Sequence, residues 1–228
     1  MTQYVIEAPQ TVKLPVVGTD ATFPVRRVYC IGRNYAAHAV EMGHDPDREA
    51  PFFFQKNPNN LCTLGEFPYP DKSSDVHHEM EMAVMLQSGG TNIPLNKALE
   101  CVYGYALSLD MTRRDLQGEQ KKAGRPWEIG KAFERSAPVG IVHPADKVGH
   151  LNSGLIELKV NGEVKQLGDL NQMIWKVPEM ISYLSDYFEL AAGDVILSGT
   201  PAGVGPVVKG DVMELSVEGL GSMSVPVV

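Results

Sequence analysis

The run His77-His78-Glu79-Met80-Glu81-Met82-Ala83-Val84-Met85-Leu86 sets the hardest condition on any fold this chain can adopt. Glu79–Leu86 reads as a strand, in which alternate side chains share a face. Glu79 and Glu81 then point the same way, followed by Ala83 and Met85. Met80, Met82, Val84 and Leu86 fill the other face. Two carboxylates side by side on an otherwise apolar strand repel each other and resist burial. Either they line the solvent face of an edge strand, or a cation lies between them. A second strand, Val102–Asp110, is apolar until it ends at Asp110 and offers a third carboxylate. Three oxygen donors without cysteine suit Mg²⁺, Mn²⁺ or Ca²⁺ rather than zinc, and Mg²⁺ leaves positions open for substrate. One divalent ion among three carboxylates leaves one negative charge, which Lys131 in Gly130-Lys131-Ala132-Phe133 can balance. His77 and His78 read as loop or supporting residues rather than ligands.

The rest of the chain is strand-rich. Residues 1–27 read as an extended N-terminal arm and 28–228 as a single catalytic domain. Val28–Ile31 reads as a short buried strand, Asn34–Met42 as a helix closed by Gly43, and Gly43–Ala50 as an exposed loop. Asn92–Cys101 has a helix signature with Pro94 near its first turn. Thr112 and Asp115 resemble a hydroxyl N-cap with a carboxylate three residues on, and Gly124 is placed to end that helix. Asn161-Gly162, between Leu155–Val160 and Glu163–Gln166, predicts a hairpin with a type I′ turn. Pro178–Leu190 is the best amphipathic helix, with Gly193 beyond it. The remainder, Asp194–Val228, reads as short strands broken by glycine. The sum is a strand-rich α+β domain with few short helices rather than a βαβ alternation.

Composition narrows the function. The 228 residues suffice for a sizeable core, and 43% hydrophobic with 21% charged residues is ordinary globular usage. A formal net charge of −8 disfavours nucleic acid as a partner. It leaves room for an anionic substrate in a local cationic pocket. Cys30, Cys62 and Cys101 are odd in number and form no CxxC pair, which fits a reducing, cytoplasmic setting. Met1–Pro9 does not read as a signal peptide, and no apolar run is long enough to predict a membrane span.

Other segments carry chemistry of their own. His38 and Glu41, three apart on a helix, face each other. A carboxylate beside an imidazole raises its basicity, as a base acting on water requires; an ordinary exposed pair has the same spacing. Leu197–Pro206 runs from a strand into a Gly-rich turn that brings N–H groups and the Thr200 hydroxyl to an anion, or forms a simple turn. It lacks a P-loop ending, and no GxGxxG or GxSxG motif occurs. Arg113, Arg114 and Gln117 share a short helix and offer donors to a carboxylate or a solvated face. Trp127 beside Pro126 reads as a packing residue.

Taken together and in order, GRNYAAHAVEM, HHEMEMAVML, GYALSLDMTRRDLQ, GKAFERSAP, the NGE hairpin and SGTPAGVGP resemble the fumarylacetoacetate hydrolase family from about Val28 to the C-terminus. The N-terminal stretch, with GHDPDREAPFFF, is similar to that family's bacterial fumarylpyruvate hydrolases of gentisate breakdown. The resemblance implies a β-roll, a homodimer, and Mg²⁺ or Mn²⁺ on Glu79, Glu81 and Asp110. It implies a lid helix carrying His38 and Glu41, and substrate contacts from Arg33, Arg114, Gln117, Lys131 and Thr200. Lys56-Asn57-Pro58, where relatives often have Lys-Pro, implies a different turn. Glu134, where relatives have Asp, implies a small change in the pocket.

These readings converge on a small diketo acid as substrate. His38, oriented by Glu41, deprotonates a water that attacks the distal carbonyl. The C–C bond breaks and pyruvate leaves as its enolate, whose charge Lys131 and the metal stabilise. The same site suits decarboxylation of oxaloacetate, isomerisation of a related dicarbonyl acid, or binding of small anions without turnover.

Overall fold

The computed structural model describes residues 4–37 and 50–228. His38, Glu41, most of the Asn34–Met42 helix and nearly all of the Gly43–Ala50 loop lie outside the described residues; Ala36 and Ala37 are helical.

A six-stranded mixed sheet organises the molecule, in the order His143–Pro144, Val102–Leu109, Met80–Leu86, Asp194–Leu197, Arg27–Gly32 and Phe52–Lys56. Neighbours run antiparallel except Asp194–Leu197 beside Arg27–Gly32. Met80–Leu86 is therefore an interior strand, and all seven of its residues are buried. An edge strand with its carboxylates in solvent is excluded. The two faces part as alternation requires. Met80, Met82, Val84 and Leu86 join one core cluster, whereas Ala83 and Met85 join a second with Val28, Cys30, Val195 and Leu197.

The second cluster is roofed from the N-terminus. Lys13–Pro15 pairs with Thr22–Pro24, which buries Leu14, Val16, Phe23 and Val25. Two backbone bonds, Val17 N to Val142 O and Val142 N to Pro15 O (2.9 and 2.8 Å), fix this hairpin to the chain beyond the third carboxylate strand. The first cluster lies between the six-stranded sheet and an antiparallel four-stranded sheet of Glu163–Asp169, Leu155–Val160, Val212–Val217 and Gly221–Pro226. Val177–Tyr187, the longest helix among the described residues, adds Met180, Ile181 and Leu184 to it.

Several boundaries follow the expected chemistry. Asn161 and Gly162 both have positive φ (53° and 79°), as a type I′ turn demands. Gly124 (φ 63°) stands just past Arg114–Lys122. Two expectations are corrected. Asn92–Cys101 is a 3₁₀ helix over Leu95–Cys101, with Pro94 at its N-cap. Thr112 is a strand residue and not a cap: the helix begins at Arg114, and the Thr112 hydroxyl donates to Asp110 O (3.1 Å) and accepts from Lys131 Nζ (2.7 Å). Asp115 instead accepts from Ser73 Oγ (2.7 Å) and Ser74 N (3.0 Å).

Candidate metal centre

The register of two strands brings the carboxylates together. Met80 pairs with Leu109 and Glu81 with Ser108. One step beyond the ladder, Asp110 N donates to Glu79 O at 2.8 Å. Glu79, Glu81 and Asp110 are only 6%, 2% and 1% exposed. Each offers an oxygen, and these oxygens lie within 4.8 Å of one another. Like charges this close, away from water, cost several kcal/mol unless compensated. Burial, then Asp110 and Glu79, drives the Glu81 pKa well above the usual carboxylate range.

Lysines supply part of the compensation. Lys131, on the short helix Glu128–Lys131, places Nζ 2.8 Å from Glu79 Oε2 and 2.6 Å from Asp110 Oδ2. Burial works against its charge, but Asp110 and Glu79 outweigh it and its pKa is raised. Lys56, at the end of Phe52–Lys56, places Nζ 2.9 Å from Asp110 Oδ1. The same ammonium also reaches Met111 O (3.3 Å), Ser136 Oγ (2.8 Å) and Lys131 O, so its three donors are shared with other acceptors and the Asp110 oxygen keeps lone-pair capacity. A buried carboxylate oxygen with an unused lone pair, beside two more carboxylates, is what a hard cation needs. The donor set fits a divalent ion.

A cleft opens at Glu79. Gly32, Arg33, Phe52, Phe54, Arg114, Gln117, Lys121, Trp127 and Lys131 line the rest of it. Arg114 pairs with Glu79 and donates to Gln117 Oε1 (2.6 Å). Arg33 (φ 55°) holds its guanidinium 4.9 Å from the Phe52 ring centre. Four of the expected substrate-contacting residues thus share one cleft: Arg33, Arg114, Gln117 and Lys131. Trp127, read as a packing residue, forms part of the wall edge-on to Phe52. Arg113 is turned away, with its guanidinium over Phe133 at 4.4 Å. Glu134 is exposed and outside the cleft lining.

The Gly-rich turn reaches the triad through its backbone. Gly199 N donates to Glu81 Oε2 at 2.7 Å, and Gly199 has φ +92°. A Cβ there would lie 2.6 Å from Asn34 Cβ. Thr200 is buried, and its hydroxyl accepts from Gln166 Nε2 (2.8 Å).

Three supporting residues escaped the sequence reading. Lys56 was noted only for the turn after it. Asn34 is fully buried, donates to Trp175 O (2.9 Å) and Ser198 O (2.8 Å), and accepts from Trp175 N (2.7 Å). Gln166 donates to Pro201 O, so its oxygen faces Met80 N and His78 Nδ1 (both 3.0 Å), and Nδ1 must carry the proton. Burial pushes the His78 pKa down, which agrees with a supporting role rather than a charged one. Only the strand position of Gln166, facing inward beside the Asn-Gly hairpin, could have hinted at its place.

Oxygen donors, lysines and arginine gathered in one cleft define the class, a divalent-metal site of an enzyme acting on small anions. The chain belongs to the fumarylacetoacetate hydrolase family: the model "Fumarylacetoacetate (FAA) hydrolase C-terminal" matches residues 27–228. The α+β architecture of mixed sheets and few short helices is that family's fold. The crystal structure of fumarylpyruvate hydrolase from Pseudomonas aeruginosa in complex with Mn²⁺ and pyruvate is 51% identical, with a TM-score of 0.97 over 99% of each chain. The mitochondrial oxaloacetate decarboxylase of Dictyostelium discoideum is 42% identical over 86% of this chain and 90% of its own. The oxaloacetate tautomerase YcgM of Escherichia coli is 41% identical over 89% of this chain and 93% of its own. No helix among the described residues is long and apolar enough to cross a membrane.

Proposed function

We propose that this chain hydrolyses a C–C bond in a diketo acid, with fumarylpyruvate as substrate and fumarate and pyruvate as products. Residues 28–228 form the catalytic domain, residues 1–27 its arm, and two copies a cytoplasmic homodimer that takes neither nucleic acid nor membrane as partner. Glu79, Glu81 and Asp110 hold Mg²⁺ or Mn²⁺. The observation that carries this reading is the burial of those three carboxylates with oxygens within 4.8 Å of one another.

The ion, when bound, supplies Lewis-acid stabilisation of negative charge on oxygen. Lys131 adds a buried ammonium beside the same oxygens, and its charge acts where the enolate develops. Arg114 and Gln117, already joined by a hydrogen bond, form a paired donor surface for a carboxylate. Arg33 lies at the same cleft for the distal end. Thr200 keeps its own hydroxyl proton to donate, since Gln166 uses it only as an acceptor. His38, oriented by Glu41, removes the proton of the attacking water.

Decarboxylation or tautomerisation of oxaloacetate is the second reading, favoured by relatives of those names at 42% and 41% identity. It needs the metal and Lys131 but no water-activating base. The test follows the ultraviolet absorbance of fumarylpyruvate with purified protein and Mg²⁺, with and without EDTA, and runs acetylpyruvate and oxaloacetate in parallel. EDTA-sensitive loss on fumarylpyruvate is expected. Turnover of oxaloacetate alone would transfer the assignment to the second reading, and turnover of none would overturn both.

A further inference from the structure

We propose that Lys56 is a positioning residue that sets the net charge of the metal site and thereby its preference for doubly charged over singly charged α-oxo anions. This rests on Glu79, Glu81 and Asp110 being the ligands.

The Lys56 ammonium is held deep in the protein. Its side chain is 0% exposed and that of Asp110 1%, and the two meet at 2.9 Å. Two carbonyl oxygens and the Ser136 hydroxyl share its three N–H donors with Asp110. Lys56 is therefore held against Asp110 as a fixed positive charge. The Asp110 lone pair stays open to an ion while the field of the ammonium persists.

The charge count then decides what the loaded site binds. Glu79, Glu81 and Asp110 face Lys56, Lys131 and Arg114, so the charges of this inner set cancel, while Arg33 and Lys121 also line the cleft. A divalent ion makes the site doubly positive. A dianion with two adjacent oxygen donors, such as oxalate or a pyruvate enolate, restores neutrality, whereas a monoanion of the same shape leaves one charge uncompensated. Without Lys56 the loaded site carries a single positive charge, and the advantage of the dianion shrinks. A role confined to tying Phe52–Lys56 to the Lys131–Ser136 turn makes no such distinction between ligands of equal shape.

The test is calorimetry of Mn²⁺ binding to wild type, Lys56→Met, Lys56→Gln and Lys56→Arg, then of oxalate and pyruvate binding to each Mn²⁺-saturated protein. Thermal melts run alongside. The neutral variants are expected to bind Mn²⁺ roughly tenfold more tightly, because a repelling charge is gone. Pyruvate is expected to weaken roughly threefold and oxalate roughly tenfold, since a Coulomb term doubles with ligand charge and its factor squares. Lys56→Arg, which keeps the charge, should keep the wild-type oxalate-to-pyruvate ratio. Unchanged or weaker Mn²⁺ binding in the neutral variants, or equal losses for both anions, would overturn the proposal. So would failure of both neutral variants to melt cooperatively, which would place Lys56 in folding alone. If wild type itself binds no Mn²⁺, the ligand assignment fails instead.

Discussion

At Glu81, burial and two neighbouring carboxylates act in the same direction, and the folded state binds its proton more tightly than the unfolded state. A carboxyl with a raised folded pKa adds stability below its unfolded pKa, and that stability is lost as pH rises through the folded value. Without metal, the protein is therefore expected to lose stability as pH climbs above the ordinary carboxylate range. Glu81→Gln should lack that part of the slope and melt no lower than wild type in EDTA near neutral pH. The same variant should lose more Mn²⁺ affinity than the roughly 10–100-fold that loss of an outer partner costs, and lose activity with it. Melts across pH with EDTA, paired with Mn²⁺ titration, check both statements. Full activity and metal binding in Glu81→Gln would reject it as a ligand. His38→Ala is expected to keep metal affinity while kcat falls roughly 10²–10⁴-fold, the range of a lost general base. Glu79 and Glu81 were legible in the chain because strand alternation is a local argument, and Lys131 only because three carboxylates with one divalent ion call for a further positive charge. Lys56 was not: a lysine closing a Phe-rich strand looks like a surface residue until Asp110, 54 positions on, is folded against it.

Among the elements, the Asn34 segment joins the site to the long helix. Its amide bridges Trp175 and Ser198, and Ile174 N donates to its backbone carbonyl at 2.7 Å. Asn34→Ala leaves those buried groups unpaired and is expected to cost roughly 2–4 kcal/mol in a urea melt. A cost near zero would show the network to be dispensable. Elements whose signals are local were read well. Asn161-Gly162 needs only two adjacent residues of positive φ, and Val177–Tyr187 shows its apolar face at helical spacing. The supposed Thr112 cap failed because a tertiary partner, Lys131 Nζ, engages the hydroxyl. No spacing rule within the helix can anticipate a donor 19 residues away.

Over the whole molecule, the six-stranded sheet is covered on both faces, by the Val177–Tyr187 helix and four-stranded sheet on one and by the N-terminal hairpin on the other. Mixed strand pairing of this kind is non-local: Arg27–Gly32, Met80–Leu86 and Val102–Leu109 were visible in the chain, whereas Phe52–Lys56, His143–Pro144 and the strand order were not. Phe23, 5% exposed, closes the hairpin over the core beneath the carboxylate strand. Phe23→Ala is expected to cost about 3–5 kcal/mol, read from denaturant melts. Loss of less than about 1 kcal/mol would mean the hairpin rests loosely on the sheet. Turning over fumarylpyruvate in H₂¹⁸O and weighing the products tests whether the C–C bond is cleaved by metal-dependent hydrolysis. The expected result is one ¹⁸O in the new carboxylate of fumarate, formed only when a divalent ion is present. Unlabelled fumarate, or labelling that persists in EDTA, would contradict it.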